Sequence, residues 1–188
     1  RARAEGSLII GQETVPISGD AYMDHWLGNA PLNKTYARCH WGKLYHEQYS
    51  LIFLKALTEK KFGPSQLGFF MFFDKDILRA ATDLIALETL TNGYSEVTGQ
   101  TYPSSFTLTI ADGAVSGQIS CPSNTVIAAI NHLESRLGPF RWLSPLLKPV
   151  FGTPYSYGMI ASAHVSVNFA DQTAVFQGPM FHEIDNTR

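Results

Sequence analysis

Phe106-Thr107-Leu108-Thr109-Ile110, then Asp112-Gly113, then Val115-Ser116-Gly117-Gln118-Ile119, is the stretch that decides the fold. Apolar and polar residues alternate on both sides of a two-residue turn signal, the pattern of a β-hairpin with one buried face. Folding about Asp112-Gly113 sets Ile110 opposite Val115 and Phe106 opposite Ile119, with Thr109 opposite Ser116 and Thr107 opposite Gln118. Each face is then chemically uniform, as a sheet with one apolar side requires.

Working outward, Ala163 to Phe169 alternates in the same way, with Ala163, Val165, Val167 and Phe169 on one face and His164, Ser166 and Asn168 on the other. Ala170-Asp171-Gln172 turns it into a partner running from Thr173 to Gly178. Leu51 to Leu54 and Gly68 to Phe73 are continuous apolar runs, which read as strands buried on both faces. In a barrel one of those faces lines the lumen. Asn124 to Leu137 carries Val126, Ile130, Leu133 and Leu137 on one helical stripe, with Ser123 or Asn124 as a cap and Gly138 as a stop, so a helix is expected there. Ile77 to Leu90 fits helical and extended spacing alike. Pro139, Pro145, Pro149 and Pro154 mark a long irregular stretch anchored by Trp142, Leu146 and Leu147, of the kind that can lid a cavity. The chain is thus expected to be mainly β, with one or two short helices and no internal domain boundary.

Composition narrows the function. Of 188 residues, 45% are hydrophobic and 12% aromatic but only 16% are charged, which suits one domain with a sizeable core. Lysines and arginines number 14 against 16 acids, a net charge of −2, and never cluster beyond pairs such as Lys60-Lys61. A nucleic-acid partner is therefore not expected. The apolar stretches fall short of the ~20 residues of a spanning helix, so no membrane span is expected. The chain begins Arg1-Ala2-Arg3 without an initiator Met and reads as a portion of something longer. Cys39 and Cys121 lack zinc-site spacing and read as two buried thiols, or as a pair if the protein is secreted. Asn33-Lys34-Thr35 is an N-glycan sequon that leans toward secretion and leaves the compartment open.

The chain contains no GxSxG elbow, phosphate loop, HExxH, EF-hand loop or GxGxxG after a strand. Its six histidines share no tight ligand spacing, so neither metal nor cofactor is expected. Two constellations remain. In the first, Tyr22 to Asn29, neighbours Asp24 and His25 point to opposite faces of a strand, and a buried Asp24 needs a donor such as Arg38 or Lys43, or else becomes a general acid. In the second, Tyr36, Arg38 and His40 share one face, while Cys39, Trp41 and Lys43 share the other, and either can look into a cavity. Trp41 reads as core filler or as a substrate platform. Tyr155, Tyr157, His164 and His182 add polar tips to apolar strands, as a site for a hydrocarbon ligand or a solvated barrel face would.

Gly19-Asp20-Ala21-Tyr22-Met23-Asp24-His25-Trp26-Leu27-Gly28-Asn29, followed by His40-Trp41-Gly42-Lys43, resembles the signature of the lipocalin-like hydroxyneurosporene synthase family. The match is to the fungal branch with Diels-Alderases and kievitone hydratase. Leu27 stands where that branch often has Trp, and Lys43 where it has Arg. Gly93-Tyr94 through Tyr102-Pro103, and Pro154 to Tyr157, fit as well, so the likeness spans about residues 5 to 188.

The resemblance implies a lipocalin-like antiparallel β-barrel over residues 1–188, the second of two in tandem, with 1–18 a linker or a strand of the preceding domain. The first barrel, on another segment or chain, is the implied partner. The implied function is a cofactor-independent natural-product enzyme that folds a hydrophobic polyene or terpenoid for cycloaddition. A hydratase acting on an alkene, or a carrier of a hydrophobic ligand, are the alternatives. Asp24, His25, His40 and Lys43 are the catalytic candidates; Tyr22, Tyr36, Trp41, Trp142, Tyr155, Tyr157 and His164 are the substrate-binding candidates.

Overall fold

The computed structural model describes residues 2–21, 23, 35–63 and 65–187. Two strands, β1 (Ala2–Ile10) and β2 (Glu13–Ala21), form a hairpin that is a sheet by itself, exposed along almost all of its described side chains. The rest is one ten-stranded antiparallel sheet: β3 (Tyr36–Tyr45), β4 (Tyr49–Thr58), β5 (Gln66–Asp74), β6 (Ile77–Thr82), β7 (Ile85–Ser95), β8 (Gln100–Ala111), β9 (Val115–Cys121), β10 (Asn124–Asn131), β11 (Tyr155–Phe169) and β12 (Gln172–Asn186). The strand order is β6-β5-β4-β3-β12-β11-β9-β8-β7, with β10 also paired to β11. Among the described residues, no helix is long and apolar enough to cross a membrane.

The inner face of this curled sheet is built by period-two alternation. Phe53, Phe70, Phe72, Phe106, Leu108 and Ile119 are completely buried, and each such side chain contributes roughly 1.5–3 kcal/mol. Reading across from β11 to β5, one inner row is Tyr157, Ile184, His40, Lys55 and Gly68. The next is Met159, His182, Gly42, Phe53 and Phe70. Curling brings β7 against β4 and β5. Two residues fix that approach: Lys55 Nζ donates to the Ile85 carbonyl at 2.7 Å, and Gly68 leaves room for the Ile85 side chain, which would lie 2.9 Å from a Cβ there.

The hairpin of β8 and β9 forms, with a different register. Ile110 faces Gly117 and Phe106 faces Cys121, so the two-residue loop is Gly113-Ala114 rather than Asp112-Gly113. Asp112 explains the change: its backbone N–H bonds to the Val115 carbonyl at 3.0 Å, and its carboxylate accepts the Ala114 N–H at 3.2 Å. Moving the loop by one residue moves each pairing by two, which keeps every side chain on its expected face. Ile77 to Leu90, open by periodicity, is strand β6 and the start of β7.

Asn124 to Leu137 is not a helix throughout. Residues 124–131 are β10, and only α1 (His132–Leu137) is helical, capped by Asn131, whose side chain accepts the Glu134 N–H at 3.2 Å. The reason is tertiary. β9 pairs with His164–Phe169 of β11, and β10 continues along Ala161–Tyr155. A helix here would leave one edge of that half of β11, the edge away from β12, without backbone partners. The proline-rich stretch is also more regular than expected, holding a 3₁₀ segment (Gly138–Leu143) and α2 (Ser144–Phe151). Trp142 and Leu146 do not anchor it; they are 68% and 72% exposed.

Cys39 sits on the outer face of β3 and Cys121 in the inner core, and both are free. Burial pushes each thiol up to about 12. The expected result is two alkylatable thiols per chain after denaturation and a melting temperature indifferent to reductant. An intact mass 2 Da below the reduced value would contradict this arrangement.

Candidate functional site

The inner face turns polar along one row. His40 on β3 is 7% exposed and His182 on β12 is completely buried, with ring centroids 5.9 Å apart. His182 is walled by Phe106 at 4.5 Å and Phe53 at 5.9 Å. Both its ring nitrogens, and Nδ1 of His40, are buried without a hydrogen-bond partner. Burial, with a smaller push from Arg38, lowers His40 to about 4. Burial and then the His40 neighbour hold His182 well below the usual imidazole range. Both rings are therefore neutral at pH 7, able to donate or accept a hydrogen bond without carrying charge.

A pocket of about 180 Å³ lies at this row, lined by Arg38, His40, Lys55, Leu57, Gln66 and Leu87. On the other flank, Tyr157 and Ile184 continue the row into a small apolar cluster of Tyr155, Tyr157, Met159 and Ile184. Its two tyrosines are 4.9 Å apart, and Tyr102 packs 5.0 Å from Tyr157. Their hydroxyls are already engaged: Tyr155 donates to the Thr101 carbonyl at 3.3 Å, and Tyr157 bonds Thr98 and the Gln100 carbonyl. They supply wall and rigidity here rather than spare donors.

The structure distributes the remaining candidates differently. Trp41 and Lys43 lie on the outer face, where Trp41 meets Phe181 edge-on at 5.9 Å and Lys43 Nζ sits 5.7 Å from the Trp41 ring. Alternation forces this separation, because His40 faces inward. Tyr36 begins β3 half-buried, its carbonyl accepting from the Thr187 hydroxyl at 2.6 Å. His164 is exposed on the outer face, Trp142 on the 3₁₀ segment. Tyr22, Asp24 and His25, with the Asn33 sequon, lie outside the described residues. Of the residues singled out in the sequence, the structure places His40 on the same inner row as Tyr157, against which Tyr155 packs, keeps Arg38 and His182 on the inner face, and adds Lys55. His182 was legible as an inward residue from Met180 and Ile184 at period two, but its neighbours Phe181 and Glu183 disguise the face.

A second polar cluster lies elsewhere. Ser156 bonds Asp185 and meets His132 Nε2 at 2.6 Å. Here the hydroxyl stands between acid and imidazole, the reverse of a hydrolase triad, and the cluster ties the start of α1 to β11 and β12.

Comparisons with known proteins bear on the fold. No family model and no curated protein matches the chain. Solved structures do match: CghA with Sch210972 at a TM-score of 0.61 and 9% identity, covering 98% of this chain and 51% of CghA. A second CghA structure matches at 0.62 and 10%, with the same coverage. A protein of Nitrosomonas europaea assigned to AttH matches at 0.55 and 13%, over 98% of this chain and 49% of that one. The chain spans about half the length of the solved structures it matches. The fold is thus lipocalin-like and mostly antiparallel β.

Proposed function

We propose that this chain is one barrel of a cofactor-independent enzyme of natural-product biosynthesis, similar to the fungal lipocalin-like Diels-Alderases, in which a hydrophobic polyene is folded for cycloaddition. The observation that carries the reading is the neutral, desolvated His40–His182 pair where an aromatic core meets a pocket. A pericyclic step needs π-systems held in a near-attack arrangement, which can supply roughly 7–11 kcal/mol, and a hydrogen bond that polarises a carbonyl. A neutral imidazole is suited to that polarisation. It is poorly suited to protonating an alkene, so His40 favours cycloaddition over hydration. Likeness to CghA with Sch210972 supports a small organic ligand for the fold.

The exposed hairpin supports a tandem arrangement. Leu8, Ile9 and Ile10 are 51%, 77% and 63% exposed, and a lone two-stranded hairpin is marginal in water. A preceding barrel gives these side chains a surface to cover.

The test uses the full-length protein and a synthetic polyene carrying a diene tethered to an α,β-unsaturated ketone. His40→Phe is expected to lower kcat about ten- to a hundredfold while substrate still binds. Unchanged rate and stereochemistry in the variant would remove His40 from the mechanism. Saturable binding by the parent protein with no acceleration would make the protein a carrier.

A further inference from the structure

We infer that the pocket recognises an apolar molecule with a carboxylate head, held between Arg38 and Lys55 with its hydrocarbon against Leu57 and Leu87. The inference rests on the reading of this pocket as the substrate site and adds the chemistry of the substrate's polar end.

Among the described residues, two cations and no carboxylate line the cavity. The Arg38 side chain makes no hydrogen bond or ion pair with another described residue, and Lys55 commits one of its three N–H groups to the Ile85 carbonyl. The planar guanidinium fork at the rim matches a carboxylate with two parallel bonds, and the ammonium adds a point charge from the next strand. His40 lines the same pocket, and its neutral ring can donate a hydrogen bond without adding positive charge. Two cations converging on one cleft raise the local positive potential, so an anion that reaches both is favoured there. Leu57 and Leu87 offer an apolar surface to an alkyl or polyenyl tail.

The probes are octanoate and octanol, titrated calorimetrically into the full chain at pH 7. Octanoate is expected to bind about ten- to a hundredfold more tightly, as charge-assisted hydrogen bonds predict, and to weaken with added salt while octanol does not. Arg38→Gln should bring octanoate close to octanol. Because Arg38 is exposed, that variant should melt like the parent; Lys55→Met, which also loses the tie to β7, is the second variant. Equal binding of both probes, or an octanoate preference that survives both substitutions, overturns the carboxylate assignment and leaves the pocket reading standing. Failure of both probes to bind at millimolar concentration overturns the pocket as a substrate site and the inference with it.

Discussion

Lowering the pH from 7 to 4.5 is expected to destabilise the fold steeply, and His182→Leu is expected to flatten that fall. In the unfolded chain both histidines take up a proton near 6.5, whereas the folded chain holds His40 neutral to about 4 and keeps His182 well below the usual imidazole range. The unfolded state therefore binds more protons throughout this window, and stability drops as pH falls. The stability tied to neutral His40 is fully present above about pH 6.5 and is lost progressively toward 4. Its shift alone corresponds to about 3 kcal/mol, a large share of the roughly 5–15 kcal/mol of a small domain. The described residues around the pair do not offset this: Arg38 and Lys55 are cationic, and Phe53, Phe106, Met159 and Ile184 are apolar. His182→Leu removes two buried nitrogens without partners, so at pH 7 the variant should be at least as stable as the parent. Urea unfolding free energies at pH 7, 6, 5 and 4.5 measure both slopes. A parent whose stability is flat over that range, or a variant that keeps the full slope, would show that the pair is not held neutral.

The sheet was legible in the sequence because period two leaves a strong trace wherever one face is buried. Ala163 to Phe169 and both arms about Asp112 fold as their alternation dictates, and the continuous apolar run at Gly68 to Phe73 is a strand whose Phe70 and Phe72 are buried while Phe69, Met71 and Phe73 on the other face are half-buried. Register was less legible: a slip of two residues keeps every face uniform, so only the Asp112 hydrogen bonds decide between the two hairpins. Val126, Ile130, Leu133 and Leu137 misled for a different reason. Their helical spacing is real, but β11 is fifteen residues long and needs a partner on its second edge, opposite β12, along its first half, a demand made from more than twenty residues away. The site divides the same way. Alternation places Tyr36, Arg38 and His40 on one face and Trp41 and Lys43 on the other, yet it does not say which face is inside. That choice follows from Gly42, His182 and Phe53 meeting across three strands.

Gly42 therefore supports the other large prediction. A Cβ at this position would lie 2.5 Å from Cε1 and 2.6 Å from Cζ of Phe53, so β3 can pass beneath the ring only without a side chain. The Phe53 ring has nowhere to retreat, being completely buried with Phe106 6.1 Å and His182 5.9 Å away. Gly42→Ala should cost about 1–3 kcal/mol by overpacking and displace His182, because both rings share the row. Phe53→Ala should cost about 3–5 kcal/mol by leaving a cavity. In the Phe53→Ala background the new methyl enters vacated space, so Gly42→Ala should there be neutral or stabilising, and the double-mutant cycle should show coupling of at least about 1 kcal/mol. Additive losses would mean that Gly42 is required for its backbone and not for the space it leaves. Because the ring that Gly42 admits also walls His182, a shifted ring should carry His182 with it and weaken binding in the adjoining pocket, linking the packing of one glycine to the site that His40 serves.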